Sequence, residues 1–252
     1  MKIGLVQYDP VWESKEANKD KLSKLLARGA QTDILIFPEM TLTGFSMKGA
    51  LLAEETDGKS CAFFSALAIE KKSYLVFGMI EQSGEKVFNS LFCMNKTGQI
   101  IARYRKIHPF TYSGESINYQ KGSEPALVEI EGWKIGLSIC YDLRFPELYR
   151  LYGKQKADLL INIANWPVPR ISHWRTLLKA RAIENQCFVA GVNRTGSDPK
   201  NQYSGLSSFI SPMGEVINSS ENEEKIIFCE AAKSEIDEFR RKMPFLDDIR
   251  LI

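Results

Sequence analysis

Short runs of β-branched and aromatic residues, recurring from one end of the chain to the other, constrain its folding more than any other feature. They are Lys2 to Tyr8, Ile34 to Phe37, Tyr74 to Ile80, Val87 to Met94, Trp133 to Ile139, Leu159 to Ala164, Phe188 to Val192, Leu206 to Ile210 and Ile226 to Cys229. Each has the length and composition of a strand. Helical periodicity fills several of the gaps, over Ser14 to Arg28, Ser60 to Lys72, Pro146 to Tyr152 and Ser172 to Glu184, the first opening on a serine suited to cap it. Alternating strands and helices predict an α/β layered fold. The turns Asn95-Lys96-Thr97-Gly98 and Ser211-Pro212-Met213-Gly214 join strands directly, so some pairs are hairpins and the sheets are mixed. No Gly/Ser/Pro linker or fixed-period repeat divides the chain, and residues 1–252 read as one domain. The tail 233–252 carries Phe239, Met243, Phe245, Leu246, Ile249 and Leu251, and is expected to pack on its own core or on a second subunit.

Charge and composition narrow the partners. Lys plus Arg number 33 against 31 Asp plus Glu, a net +2 that is too balanced for the single-sign field nucleic acids or anionic membranes demand. A small neutral or singly charged molecule fits better. No run approaches the roughly 18 apolar residues of a membrane span, and the start turns polar too quickly for a signal peptide, so a cytoplasmic location is expected. The cysteines (Cys61, Cys93, Cys140, Cys187, Cys229) are scattered and form no Cys-x-x-Cys pair. With only His108 and His173 beside them, neither a disulfide framework, a metal site nor a cofactor is suggested.

In α/β sheets ligands gather outside the carboxyl ends of strands, and three apolar runs end there in polar residues: Phe37-Pro38-Glu39, Cys140-Tyr141-Asp142 and Asn165-Trp166-Pro167. Glu39, partly desolvated behind its apolar run, is expected to favour its neutral form and to carry protons. Cys140 is a candidate nucleophile if a base lies beside it. Taken singly, these residues have plainer readings. Cys140 fits a small buried hydrophobe, Glu39 a solvated loop residue, and Lys106 in Arg103-Tyr104-Arg105-Lys106-Ile107-His108 a basic surface turn. His108 is an alternative base for the thiol.

Taken together, Phe37-Pro38-Glu39-Met40, Tyr104-Arg105-Lys106-Ile107-His108, Ser113-Gly114-Glu115 and Cys140-Tyr141-Asp142-Leu143-Arg144-Phe145-Pro146-Glu147 resemble, in order and approximate spacing, the Glu-Lys-Glu-Cys set of the nitrilase superfamily of carbon-nitrogen hydrolases. The likeness runs over essentially the whole chain. It implies a four-layer αββα sandwich of two mixed β-sheets with outer helices, pairing into a homodimer through one helical layer, with the tail crossing to the neighbour. Ala164 to Arg170, His173-Trp174, Ala180 to Gln186 and Gly191 to Asp198 look most like the bacterial ω-amidase branch, which hydrolyses the terminal amide of 2-oxoglutaramate or 2-oxosuccinamate. One departure stands out: in Tyr203-Ser204-Gly205-Leu206-Ser207, Leu206 replaces the acidic residue usual in that branch.

The resemblance implies a catalytic set of Glu39, Lys106, Glu115 and Cys140, without metal or cofactor. Glu39 takes the thiol proton, and Cys140, its thiolate favoured by the nearby cation, attacks the amide. Lys106 and a backbone N–H near Tyr141 hold the oxyanion, and Glu115 orients water or substrate and keeps Lys106 charged. Arg144 is the candidate for the substrate's distal carboxylate, with a bracing contact to Glu147 or Asp142 as the other reading. Phe45, Tyr112 and Trp166 are candidate pocket walls. The competing readings are another amidase of the superfamily, such as a deaminated-glutathione amidase, a catalytically silent binding module, and a Cys-His enzyme using one of the two imidazoles.

Overall fold

The computed structural model describes residues 1–27 and 29–251, so Arg28 of the first predicted helix and Ile252 of the tail lie outside the described residues. The strands are β1 (Lys2–Gln7), β2 (Ile34–Ile36), β3 (Tyr74–Ser83), β4 (Lys86–Met94), β5 (Ile100–Arg105), β6 (Ala126–Ile130), β7 (Trp133–Ile139), β8 (Leu159–Ala164), β9 (Phe188–Asn193), β10 (Thr195–Ser197), β11 (Gln202–Ile210), β12 (Val216–Glu221) and β13 (Lys225–Glu230). The helices are α1 (Lys15–Leu26), α2 (Gly49–Leu52), α3 (Lys59–Lys71), α4 (Glu115–Asn118), α5 (Pro146–Lys154), α6 (Ile171–Asn185) and α7 (Lys233–Lys242).

Each sheet is built around three parallel strands with antiparallel neighbours. The six-stranded sheet runs β13-β1-β2-β3-β4-β5, with β1, β2 and β3 parallel and α1 and α3 as their crossovers. The seven-stranded sheet runs β10-β11-β9-β8-β7-β6 with β12 beside β11, and there β7, β8 and β9 are parallel and crossed by α5 and α6. The expected mixed sheets are therefore present, as two βαβαβ kernels placed face to face.

The alternation of side chains explains why the strand runs are almost continuously apolar. In the first sheet Ile3, Leu5, Ile34, Ile36, Leu91 and Cys93 enter the core shared with the second sheet, which also takes in Leu148, Tyr149 and Tyr152 of α5 and Trp174, Leu178 and Ala182 of α6. Their neighbours Val6, Leu35, Phe37, Phe77, Phe92 and Met94 point the other way, against Leu22 and Leu26 of α1 and Phe64, Leu67 and Ala68 of α3. Phe64 stacks on Phe77 with centroids 3.8 Å apart, and each such buried ring contributes roughly 1.5–3 kcal/mol. Both faces of the sheet are thus covered, and the order of layers is αββα.

Four strands escape the hydrophobic reading, β5, β6, β10 and β12. Every residue of β12 except Ser220 is exposed, and β5 carries Arg103 and Arg105, which reach over β4 to Glu81 of β3, so neither presents an apolar run. Ser14 occupies the cap position of α1, but its side chain makes no capping hydrogen bond. Asn18 fastens the segment instead: its Oδ1 accepts from the Val11 N–H at 2.7 Å, and its Nδ2 donates to the Val11 and Leu42 carbonyls at 2.8 Å each. In the tail, α7 folds back on its own chain. Ile236 is fully buried, and Arg240 donates to the carbonyls of Gln186 and Ala157.

Candidate active site

The chemistry-bearing residues follow strand ends of both sheets. Glu39 lies just beyond β2, Cys140 directly follows β7, and Asn165 directly follows β8. Lys106 is the first residue past the edge strand β5, and Glu115 opens the short helix α4. The Glu39 turn is clasped to β3, where the Thr41 N–H donates to the Gly78 carbonyl at 2.9 Å and the Gly78 N–H donates to Thr41 Oγ1 at 3.0 Å. That approach needs glycine, because a Cβ at position 78 would stand 2.4 Å from the Met40 nitrogen.

Lys106, Glu39 and Glu115 form a buried cluster. Lys106 Nζ donates to Glu39 Oε1 at 2.9 Å and to Glu115 Oε2 and Oε1 at 2.9 and 3.1 Å. Asn89 Nδ2 bridges the two carboxylates, 2.7 Å from Oε1 of each. The Asn165 N–H donates to Glu39 Oε2 at 2.9 Å, and the Phe110 N–H donates to Glu115. Burial would raise the Glu39 pKa, but the Lys106 charge and the hydrogen bonds from Lys106, Asn89 and Asn165 outweigh it and hold the carboxyl below its usual range. Glu39 is thus ionised at rest, against the expectation of a neutral acid. Burial alone would lower Lys106, yet Glu115 and Glu39 hold its ammonium well above the ordinary lysine value.

Cys140 lies partly exposed at the start of a 3-10 turn, with φ of 47°, a left-handed conformation that turns its side chain sharply off the end of β7. Asp142 pins that turn. Its buried carboxylate accepts from the Ile139 N–H at 3.0 Å, the Tyr104 hydroxyl at 2.8 Å and the His108 N–H at 3.0 Å, and its Oδ1 lies 2.8 Å from His108 Nδ1. Tyr104 and His108 flank Lys106, so one carboxylate ties the lysine strand to the cysteine turn. This contact also occupies the His108 ring, which stacks on Phe145 at 3.8 Å, while His173 Nδ1 lies 3.2 Å from Arg144 Nη2. Burial, reinforced by Glu39, pushes the Cys140 thiol well above its ordinary value despite the opposing Lys106 charge. Cys140 is therefore a neutral thiol at rest, and the thiolate expected from a nearby cation is not its resting form.

Cys140 opens into a cavity of about 550 Å³ whose lining includes Phe45, Tyr112, Tyr141, Arg144, Asn165 and Trp166. Phe45 lies beside the lysine, its ring centroid 5.3 Å from Lys106 Nζ. Trp166 is buried, its indole N–H donating to the Arg170 carbonyl at 2.7 Å. Tyr112 is 89% exposed and belongs to the rim instead of the wall. Arg144 makes no ion pair with Glu147 or Asp142. Its guanidinium lies over the ring of Trp166 at 4.9 Å and that of Tyr141 at 5.9 Å, because Asp142 is taken by Tyr104 and His108. Among the described residues no cluster of three or more His, Cys, Asp or Glu side chains is arranged to hold a metal ion, and no helix is long and apolar enough to cross a membrane.

This arrangement can be set beside known proteins. The carbon-nitrogen hydrolase profile matches residues 2–241. The chain belongs to the carbon-nitrogen hydrolase family. It is 36% identical to the 2-oxoglutaramate amidase of Bacillus subtilis, over 98% of this chain and 97% of that one. It is 34% identical to the omega-amidase YafV of Escherichia coli K12, over 98% and 96%. In three dimensions it superposes on XC1258 of Xanthomonas campestris, a CN-hydrolase superfamily protein crystallised with an arsenic adduct in its active site, with a TM-score of 0.96 at 33% identity, covering 100% and 98% of the two chains. This carbon-nitrogen hydrolase is accordingly an amidohydrolase of the nitrilase superfamily, with the αββα sandwich of its relatives.

Sequence reasoning left three residues of the hydrolase site unassigned. Asn89 carried a signal, as a polar residue inside the apolar run Val87 to Met94, and the fold buries it between the two carboxylates. Asn165 was visible at a strand end, but not that its N–H would reach across to Glu39 on the other sheet. Arg170 closes the Ala164 to Arg170 segment that carries the ω-amidase likeness, but nothing in the sequence shows that its side chain lines the cavity. Leu206, the position that departs from the ω-amidase pattern, sits in a bulge of β11 with φ of 54°, and Trp174 Nε1 donates to its carbonyl at 2.8 Å. Short polar residues tolerate that backbone conformation better than leucine does, which is a physical reason for an acidic residue there.

Proposed function

We propose that this hydrolase cleaves the terminal amide of small 2-oxo dicarboxylic acid monoamides, such as 2-oxoglutaramate and 2-oxosuccinamate, through a Cys140 thioester. The observation that carries the reading is the buried Lys106 cluster beside a neutral thiol. An ionised Glu39 is ready to take a proton, Cys140 has one to give, and the Lys106 ammonium meets one Glu39 oxygen and both oxygens of Glu115. The longer of the two Glu115 contacts, at 3.1 Å, is the one that yields to an oxyanion.

In the first half-reaction Glu39 takes the Sγ proton as sulfur bonds to the amide carbon, and the oxyanion is received by Lys106 and by the Tyr141 N–H at the start of the 3-10 turn, where helix geometry leaves N–H groups unpaired. Collapse of the adduct breaks the C–N bond, and Glu39 returns the proton to the departing nitrogen, releasing ammonia. In the second half-reaction Glu39 takes a proton from water, hydroxide adds to the thioester, and the sulfur leaves with that proton to restore the thiol. Glu115 keeps Lys106 charged and in place throughout. Phe45, Tyr141 and Trp166 wall the substrate, and Arg144, with no carboxylate of its own, receives the distal carboxylate. The same reading makes the protein a homodimer through the outer layer of α5 and α6, where Leu151 and Ile183 are exposed.

The test is ammonia release from 2-oxoglutaramate, glutamine, deaminated glutathione and a simple nitrile, by the wild type and by Cys140→Ala. The expected outcome is a clear preference for 2-oxoglutaramate that vanishes in Cys140→Ala. A preference for deaminated glutathione would move the protein to another amidase of the superfamily, and no turnover of any amide would favour a silent binding module.

A further inference from the structure

The cavity holds more positive charge than the protein itself neutralises. Of its two acidic lining residues, Glu13 pairs with Lys48 at 2.6 Å, and Asp198 accepts from the Tyr203 hydroxyl and from the Lys200 and Asn201 N–H groups. Arg144 and Arg170 line the same space with no carboxylate partner among the described residues. Other half-buried or buried arginines are engaged: Arg105 with Glu81, Arg150 with the Glu184 carbonyl, Arg181 with the Leu143 carbonyl, and Arg240 with the Gln186 and Ala157 carbonyls. The Arg170 guanidinium, half-buried like theirs, makes no hydrogen bond to any described residue and is held only by the face of Phe110, 5.3 Å from the ring centroid. A half-buried guanidinium with five unspent donors, fixed by an aromatic face, is preorganised for an acceptor the protein does not supply.

We infer that Arg170 is a specificity-determining residue, forming with Arg144 a two-guanidinium clamp for the carboxylate and the adjoining 2-oxo oxygen of the substrate. The inference rests on the amidase reading above and adds the reason for the substrate class. Trp166 joins the two halves: the Arg144 guanidinium lies over its ring and the Arg170 carbonyl accepts from its indole N–H, so one buried side chain sets both positions. One guanidinium fork satisfies one carboxylate. A 2-oxo acid carries a further acceptor on the next carbon, and the second guanidinium provides its donor. Amides with a neutral end leave both cations unpaired in a half-buried cavity, which costs them binding.

Steady-state kinetics on 2-oxoglutaramate, glutaramate (which lacks the oxo group) and pentanamide (which lacks oxo and carboxylate) test the clamp in the wild type, Arg170→Gln and Arg170→Lys. Arg170→Gln is expected to raise KM for 2-oxoglutaramate about 10- to 100-fold with kcat within about threefold, as for loss of a charge-assisted hydrogen bond. It should also erase the wild-type preference for 2-oxoglutaramate over glutaramate. Arg170→Lys should recover only part of that preference, since an ammonium lacks the fork. If Arg170→Gln keeps the wild-type preference, or loses activity equally on all three amides as a merely structural residue would, the clamp is wrong and the amidase reading stands. A wild type that hydrolyses pentanamide as well as 2-oxoglutaramate would overturn the 2-oxo substrate reading itself, and the clamp with it.

Discussion

The buried cluster behind Cys140, the floor of the site, and the arginine-bearing lining of the cavity, its mouth, are built on opposite plans. At the floor Glu39, Lys106 and Glu115 bind one another, Asn89 bridges the carboxylates, and the N–H groups of Asn165 and Phe110 reach in from two further segments. At the mouth Arg144 and Arg170 rest on aromatic faces with their donors largely unspent, and Tyr112 stands in solvent. The contrast separates chemistry from selection. On the proposed mechanism the reacting groups are held before substrate arrives, so little reorganisation is left for the transition state, whereas the proposed recognising groups would be completed only by a substrate with the right end.

The difference should be largest, with stability and turnover taken together, for Lys106→Ala. Removing a cation enclosed by two carboxylates leaves buried charge uncompensated, a change that typically costs about 3–5 kcal/mol, and losing an oxyanion donor costs about 10²–10³ in kcat. Both thermal stability and turnover should therefore fall together, read by calorimetry and by ammonia release. A variant that kept its melting temperature while losing activity would mean that the floor cluster is not the structural unit its contacts indicate.

Glu39→Gln separates the two functions of the floor. Turnover should fall by about 10²–10⁴, the usual contribution of a general base. Yet burial first, and then the Glu39 charge, raise the Cys140 pKa, while Lys106 lowers it. Taking away the negative neighbour leaves the ammonium in place, so the thiol becomes more acidic and the thiolate fraction at neutral pH rises. Alkylation of Cys140 by iodoacetamide at pH 7.5 should consequently be faster in the variant than in the wild type, with its pH profile moved toward lower pH. Slower alkylation in Glu39→Gln would show that Glu39 activates the thiol at rest and that the direction of its charge effect is wrong.

How much of this was legible follows the same division between scaffold and site. The central strands were readable because both their faces are buried, so Ile34-Leu35-Ile36 and Leu159 to Ala164 are apolar at every or nearly every position. Strand β12, exposed almost throughout, left no such trace. Glu39, Lys106, Glu115 and Cys140 stood out by order and residue type, but their charge states did not. Those depend on Asn89 and Asn165, whose donors arrive from β4 and from the end of β8, and no local pattern predicts which buried amide will face a carboxylate. Likewise Asp142 looked available to Arg144 from sequence proximity, whereas the fold delivers Tyr104 and His108 from a distant strand to take it.

The smallest effect should come from Tyr112→Ala, and it tests the mouth where it is most open. Tyr112 borders the cavity that holds Cys140, but it is 89% exposed, and its ring meets Phe110 at a centroid distance of 5.8 Å with no hydrogen bond from its hydroxyl to any described residue. Substitution of a side chain so exposed changes stability by about 0.5 kcal/mol or less, and a ring already in water loses little apolar area when it is removed. The melting temperature should stay within experimental error of wild type, and kcat/KM for 2-oxoglutaramate within about threefold, a shift worth less than about 1 kcal/mol. A loss of 30-fold or more would show that the rim closes over the substrate and that Tyr112 is driven against it. The mouth would then be a surface that becomes ordered on binding, and the sharp division between a finished floor and an open mouth would hold only for the empty enzyme.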